Sequence, residues 1–260
     1  MQKVKIHDRD TKKMRTLSAF LILLCMEGSS ALAAPSSSSV QTEKKSLRTQ
    51  KIAAVTTSLG FLAVTADTFA NKGVLMPHMD ELAREAAKGR YENPAGRSLS
   101  NVAPALACIT GIACAATSAP RGRGEHASNL DRRRVFAVAG SWALMQPSIV
   151  GLKYFFKRQR PDPAHHFDPA FPSGHTANAA FLSGALAFLL VPSLLDKKQS
   201  GIGLPMAFTA LGTISVAAGR LLTEAHWLSD TLAGACIGLF FCNAAVVLAT
   251  RETVLPPEEF

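Results

Sequence analysis

Gly219-Arg220-Leu221-Leu222-Thr223-Glu224-Ala225-His226-Trp227-Leu228-Ser229-Asp230 joins two long runs, residues 201–219 and 231–249, that carry no charged side chain. Neither run shows the period-2 alternation of a half-buried strand, and each is long enough to cross a bilayer as a helix. An arginine, a histidine and an aspartate thus sit where two apolar helices meet. Ionisable groups near lipid are costly without partners, so such placement marks function. Four further stretches read the same way, roughly 52–70, 99–119, 135–152 and 177–195, and of all six only the first holds a charge, Asp67. Ala, Gly, Ser and Thr dilute them and suit helices packed closely together. The expected fold class is all-α, a bundle of about six apolar helices embedded in a membrane with the site at one end. A compact soluble bundle is the alternative.

The connections supply the charge. The chain has 260 residues, enough for one domain, and a formal net charge of +9. Its basic residues are scattered between apolar runs without a stripe or interleaved aromatics, which speaks against a nucleic-acid partner. Residues 72–97 are amphipathic, with Met76, Met79, Leu82, Ala83 and Ala86 forming one face of a surface helix. The link from Arg121 to Arg134 holds five arginines, and Lys197 and Lys198 fall on the same side. By the positive-inside rule that side is cytoplasmic, and the links carrying the chemistry face outward.

At the N-terminus, Lys12, Lys13 and Arg15 precede an apolar run from Leu17 to Met26 and then Ala31-Leu32-Ala33, the pattern of an export signal. The organisation expected is a signal over 1–34, a flexible basic lead-in over 35–50, a single helical domain over 51–250 and a tail over 251–260. The expected location is an inner membrane with the site facing the periplasm, or a soluble periplasmic protein as the alternative. Five crossings after a cleaved signal, or six without cleavage, both leave the site outside. Cys108, Cys114, Cys236 and Cys242 lack metal-ligand spacing and read as small buried apolar residues.

Three stretches carry the chemistry. In Lys153-Tyr154-Phe155-Phe156-Lys157-Arg158-Gln159-Arg160-Pro161, Lys153 and Arg160 stand two helical turns apart and can address one anion. Lys157 and Arg158 read there as membrane-flanking charges. In Phe171-Pro172-Ser173-Gly174-His175, Ser173 is a helix N-cap and Gly174 frees a backbone N–H. His175 in the first turn can protonate a leaving oxygen. In the third, His226 and Asp230 at i, i+4 share a helical face, so Asp230 can fix the tautomer and present the other ring nitrogen. Together these form equipment for holding and attacking a tetrahedral oxyanion without a metal or other cofactor. Asp162, His165, His166 and Asp168 cluster before the second stretch but read as a solvated loop shaping the entrance.

The order K-x6-R-P, P-S-G-H, R-x5-H-x3-D resembles the type 2 phosphatidic acid phosphatase (PAP2) superfamily over about residues 135–249. The resemblance implies that His226 attacks phosphorus to form a phosphohistidine, with Asp230 orienting it. It also implies that His175 acts as general acid and then base, while Lys153, Arg160, Arg220, Ser173 and Gly174 bind the phosphoryl oxygens. The expected substrate is a lipid phosphate: phosphatidate, phosphatidylglycerol phosphate or an isoprenyl diphosphate. A soluble acid phosphatase and a vanadate-dependent haloperoxidase are the alternatives. One departure is Gly219, where the family usually has Ser, and it predicts the loss of a hydroxyl hydrogen bond worth roughly 1.5–3 kcal/mol.

Overall fold

The computed structural model describes residues 37–69, 75–88, 94–118, 125–162, 168–192 and 203–250. Among them there are helices and no strand. The elements are α1 (Ser37–Phe69), α2 (Leu75–Ala87), α3 (Pro94–Ser100), α4 (Val102–Ser118), α5 (Glu125–Phe156), α6 (Gly174–Ala185), α7 (Gly203–Leu222) and α8 (Leu228–Thr250). A π-helical turn, Leu186–Leu190, continues α6. The described parts of all six apolar stretches lie in these helical segments. The signal-like segment, His165 and His166, and Lys197 and Lys198 lie outside the described residues.

Two boundaries differ from the sequence reading. Helix α1 begins at Ser37, so the stretch expected as a flexible lead-in is helical from there on. Helix α5 begins at Glu125, so Arg132, Arg133 and Arg134 belong to a 32-residue helix rather than to a loop. Helix propensity explains both, since Glu, Lys, Arg and Leu extend a helix readily once an apolar segment has nucleated it.

Among the described residues, five helices are long and apolar enough to cross a membrane: Ile52–Phe69, Pro94–Ser118, Ser128–Phe156, Gly203–Leu222 and Leu228–Thr250. Gly174–Leu190 is a shorter apolar helix. The second of the five is α3 and α4 in series. Pro104 has no N–H for the carbonyl of Ser100, and the two helices meet at Asn101, whose own N–H still bonds Arg97 O at 3.1 Å. Large apolar side chains point away from the bundle, among them Ile112 at 70%, Leu204 at 83% and Leu211 at 67% exposure. Whole helix faces of this kind need lipid around them. The chain is a membrane protein, and the soluble bundle is set aside.

Helix α6 is the centre. Nine of its twelve residues are buried, and α8 lies along it. Gly234 and Gly238 make this possible, because a Cβ at either would collide with the backbone oxygens of Ser173 and Ala177. Across the facing helix, Trp142 Nε1 and Gln146 Nε2 of α5 both donate to Asn178 Oδ1 of α6, at 2.8 and 3.0 Å. Phe69, Phe156 and Phe171 pack ring against ring, with centroids 4.5–5.1 Å apart, and join the ends of α1 and α5 to the loop before α6. Asp67, the lone charge of the first stretch, accepts the N–H of Met76 at the start of α2, where an acid also suits the helix dipole.

Helix α2 forms as expected but presents a different face. Asp80 and Ala87 are its buried residues, while Met79 and Leu82 are exposed. A buried carboxylate with strong partners, described below, sets its rotation more firmly than the apolar stripe does.

Gly219 also has a packing reason. A Cβ there would lie 2.5 Å from Ser100 N and 2.8 Å from Gly96 O. A side chain at 219 therefore runs into the backbone of α3, and the expected deficit of one hydroxyl contact gives way to a requirement for glycine. Gly219→Ser should lower stability by about 1–3 kcal/mol and bring no gain in turnover. A thermal melt in detergent beside a rate assay checks both.

Candidate active site

Two helix ends and one helix start build the site, and each has a local cause. Helix α5 stops because Lys157 takes a left-handed conformation, φ 48°, while its N–H bonds Lys153 O at 2.9 Å. Helix α7 ends in a Schellman motif. Ala225 N–H reaches back to Arg220 O (3.1 Å), Glu224 N–H to Leu221 O (2.9 Å), and Glu224 carries φ 49°. These turns fold the two motif loops over the same end of the bundle. They are joined there by Asp162 N–H to Glu224 O at 3.2 Å and Trp227 Nε1 to Gln159 O at 2.8 Å.

Lys153 and Arg160 do converge, through the turn at Lys157 rather than along a continuous helix. Both clasp Asp168: Lys153 Nζ at 3.0 Å and Arg160 Nη2 at 2.7 Å from Oδ2. Lys153 also donates to Pro169 O, and Arg160 to Asp168 O and to Ala225 O at 2.9 and 3.1 Å. Asp168 was expected in a solvated loop, and its side chain is 59% exposed, yet it occupies the fork of both cations. Burial alone would raise its carboxyl, but the hydrogen bond and charge of Lys153, followed by Arg160, outweigh burial and hold it below the usual carboxylate range. Arg220 arrives from α7, and its buried Nε has no hydrogen-bond partner.

Ser173 caps α6 as expected, with its Oγ 3.4 Å from Thr176 N, and its own N–H bonds Asp230 O at 2.9 Å. Gly174 is the first helical residue. His175 follows in the first turn with its side chain exposed, within electrostatic reach of Arg220, Arg160, Lys153 and Asp168.

His226 is 3% exposed. It precedes α8, which starts at Leu228, so the expected shared helical face with Asp230 is replaced by a turn folded onto the helix start. Asp230 is fully buried and accepts Trp227 N–H at 2.9 Å, which holds that turn. His226 Nδ1 lies 3.5 Å from Asp230 Oδ2, an ion-pair contact too loosely aligned to count as a closed hydrogen bond. Burial pushes the imidazole down to about 4. Asp230 opposes that shift, and Arg220 and Arg160 reinforce it.

Sequence reasoning passed over three residues. Arg158, read as a flanking charge, donates from Nη1 to Asp230 Oδ1 at 2.6 Å and from Nη2 to Asp80 Oδ2 at 2.7 Å. Asp80 also accepts Ser229 N–H at 2.8 Å and Ser229 Oγ–H at 2.7 Å. The only local signal was a polar residue on the apolar side of an amphipathic helix. Among the described residues no cluster of three His, Cys, Asp or Glu could hold a metal ion.

The assembled end has three clustered cations, Lys153, Arg160 and Arg220, beside a buried His–Asp pair. Residues 134–253 match the model of the PAP2 superfamily. The chain is 36% identical over 95 residues to phosphatidylglycerophosphatase B of Bacillus subtilis (strain 168), a match that spans 34% of this chain and 44% of that protein's length. In three dimensions it resembles the crystal structure of the first transmembrane PAP2 type phosphatidylglycerolphosphate phosphatase from Bacillus subtilis. The TM-score is 0.58 at 21% identity, covering 73% of this chain and 92% of the other. That likeness speaks for the fold. The matched residues 134–253 include all eight candidate site residues.

Proposed function

We propose that the chain is a metal-independent phosphatase that hydrolyses a lipid phosphate, with phosphatidylglycerol phosphate the first substrate to test. The observation that carries this reading is the buried His226–Asp230 pair set beside Arg220, whose Nε is buried and unpaired. Buried polar groups are hydrogen-bonded in native proteins, and an unpaired one beside a nucleophile marks the position of an anionic partner. The relatives reported above carry phosphatidylglycerophosphate phosphatase names, and none is a haloperoxidase.

In this mechanism a phosphoryl group displaces Asp168 from Lys153 and Arg160 and takes the free Nε of Arg220. Gly174 N–H and Ser173 at the start of α6 add the dipole of a helix N-terminus. His226 Nε2 attacks phosphorus, and the P–O bond to the lipid breaks. His175 donates a proton to the departing oxygen. The Nδ1–H contact to Asp230 closes as the ring gains charge, since catalytic hydrogen bonds tighten along the reaction. Water then attacks the phosphohistidine, gives its proton to His175, and releases inorganic phosphate and His226. Fixed cations supply the charge stabilisation here, and a phosphoryl transition state depends on such stabilisation.

Orientation follows from charge. Arg132, Arg133 and Arg134 lie at the end of α5 remote from Lys153, and Arg133 Nε bonds Leu248 O at the far end of α8 at 2.8 Å. With that end cytoplasmic, the site faces the periplasm.

Detergent-purified protein assayed on phosphatidylglycerol phosphate, phosphatidate, an isoprenyl diphosphate and an aryl phosphate tests the reading. Phosphate release from at least one lipid in the presence of EDTA is expected, and release from none would sink it. Asp168→Asn should tighten inhibition by orthovanadate about fivefold, because the anion no longer competes with an exposed ion pair worth about 1 kcal/mol. An unchanged inhibition constant would mean that Asp168 does not occupy the anion's place.

A further inference from the structure

Outside the three motifs, Asp80 on α2 is a heavily bonded polar group more than fifty residues before the family-matched segment begins. Its carboxylate is 2% exposed and accepts from the Ser229 N–H, the Ser229 hydroxyl and Arg158. Arg158 in turn stretches one guanidinium between two carboxylates, with Nη2 on Asp80 and Nη1 on Asp230, and Nη1 also touches Ser229 Oγ at 2.6 Å. The guanidinium lies over Trp227, its carbon 5.3 Å from the ring centroid, which limits its swing.

The charges in this chain of contacts do not cancel. Asp80 and Asp230 contribute two negative charges and Arg158 one positive, so the buried group stands one positive charge short. The missing charge is the one His226 acquires when its ring is protonated or phosphorylated, with Nδ1–H directed at Asp230 Oδ2. If Arg158 faced Asp230 alone, it would cancel the carboxylate's charge and leave little to steady the imidazolium. Asp80 prevents this by sharing the guanidinium.

We propose that Asp80 and Arg158 are positioning residues for the His226–Asp230 pair, and that the domain matched to the family is catalytically incomplete without helix α2. Arg158 fixes the Asp230 carboxylate so that Oδ2 faces His226. Asp80 offsets the guanidinium so that Asp230 keeps its negative character. Neither residue needs to touch the substrate, and both act through Asp230. This inference rests on the phosphatase reading of the same site.

The test separates charge from packing. His226 feels Asp230 from α8, Arg220 from α7 and Arg160 from the loop after α5; Glu224 from the loop after α7 and Asp80 and Arg84 from α2 line the same cleft, and Arg158 contacts Asp230 and Asp80. Of these, Asp80→Asn removes one negative charge while keeping the shape and an acceptor for Ser229. Wild type and variant are compared on the best lipid substrate and an aryl phosphate, between about pH 2.5 and 8.

Asp80→Asn should lower kcat about 30-fold with KM changed less than threefold. Its acid limb should move to lower pH by about one unit, because an imidazole that loses a negative neighbour holds its proton less tightly. Arg158→Lys keeps the charge but loses the fork that spans both carboxylates. It should lower kcat at least tenfold and leave the limb in place.

A wild-type limb and kcat in Asp80→Asn, or a fall in kcat with no movement of the limb, overturns the proposal. Should Asp80→Asn fail to fold, undiminished kcat in Arg158→Lys overturns it equally. A wild-type protein inert on every phosphate substrate refutes the phosphatase reading itself, whereas an active wild type with an equally active Asp80→Asn refutes only this inference.

Discussion

His226→Ala should abolish turnover, reducing kcat by about 10^4-fold or more, the scale on which a nucleophile removed from a catalytic unit acts. The side chain is buried, neutral across the physiological range because its pKa lies near 4, and set against a fully buried carboxylate. Water admitted beside the small alanine cannot replace the imidazole at a comparable rate, because the covalent intermediate divides the reaction into two easier steps. The check is labelling with a radioactive phosphate donor, quenched in alkaline denaturant. Wild type should show an acid-labile, base-stable phosphoenzyme, and the variant none. A labelled variant would place the nucleophile elsewhere. Orthovanadate should still bind the variant, since Lys153, Arg160 and Arg220 are intact, and that binding shows that the fold survives.

Arg220→Met comes second in size. Its guanidinium emerges at the last turn of α7, where the Schellman turn that places His226 begins with the carbonyl of this same residue. Its Nε is buried without a hydrogen-bond partner, whereas Lys153 and Arg160 are both engaged by Asp168. Removing one fixed donor of transition-state charge costs about 10^2–10^3-fold in rate. Methionine keeps the length and apolar stem, so the loss should fall on kcat/KM and on vanadate inhibition while the melting temperature holds. Equal kinetics in the variant would show that Arg220 serves the fold and not the anion.

How much of this was legible beforehand divides by the range of the physics involved. The apolar stretches are local facts of composition, and each appears as a helix. The three motifs were legible because their residues lie within a few turns of one another. Even so, the local geometry of the third was misread. His226 and Asp230 meet across a turn that precedes α8, a turn closed by Trp227 N–H on Asp230, where a continuous helix was expected. Similarly, Lys153 and Arg160 meet because Lys157 adopts a left-handed backbone, which no propensity scale assigns to lysine. Gly219 read as a missing hydroxyl and proved to be the contact point of α3 with α7.

The amino-acid order alone determined that helices would form, which of them lipid could surround, and which side chains are the candidates for phosphoryl-transfer chemistry, because hydropathy and spacing act over a few residues. Tertiary structure alone decided that Asp168 fills the fork of two cations, and that Asp80 reaches Ser229 across 149 positions to share Arg158 with Asp230. Burial makes Lys153, Arg160, Asp80 and Asp230 demand partners, and which partner stands within reach is set by how the helices pack, a quantity that no single stretch of the chain contains.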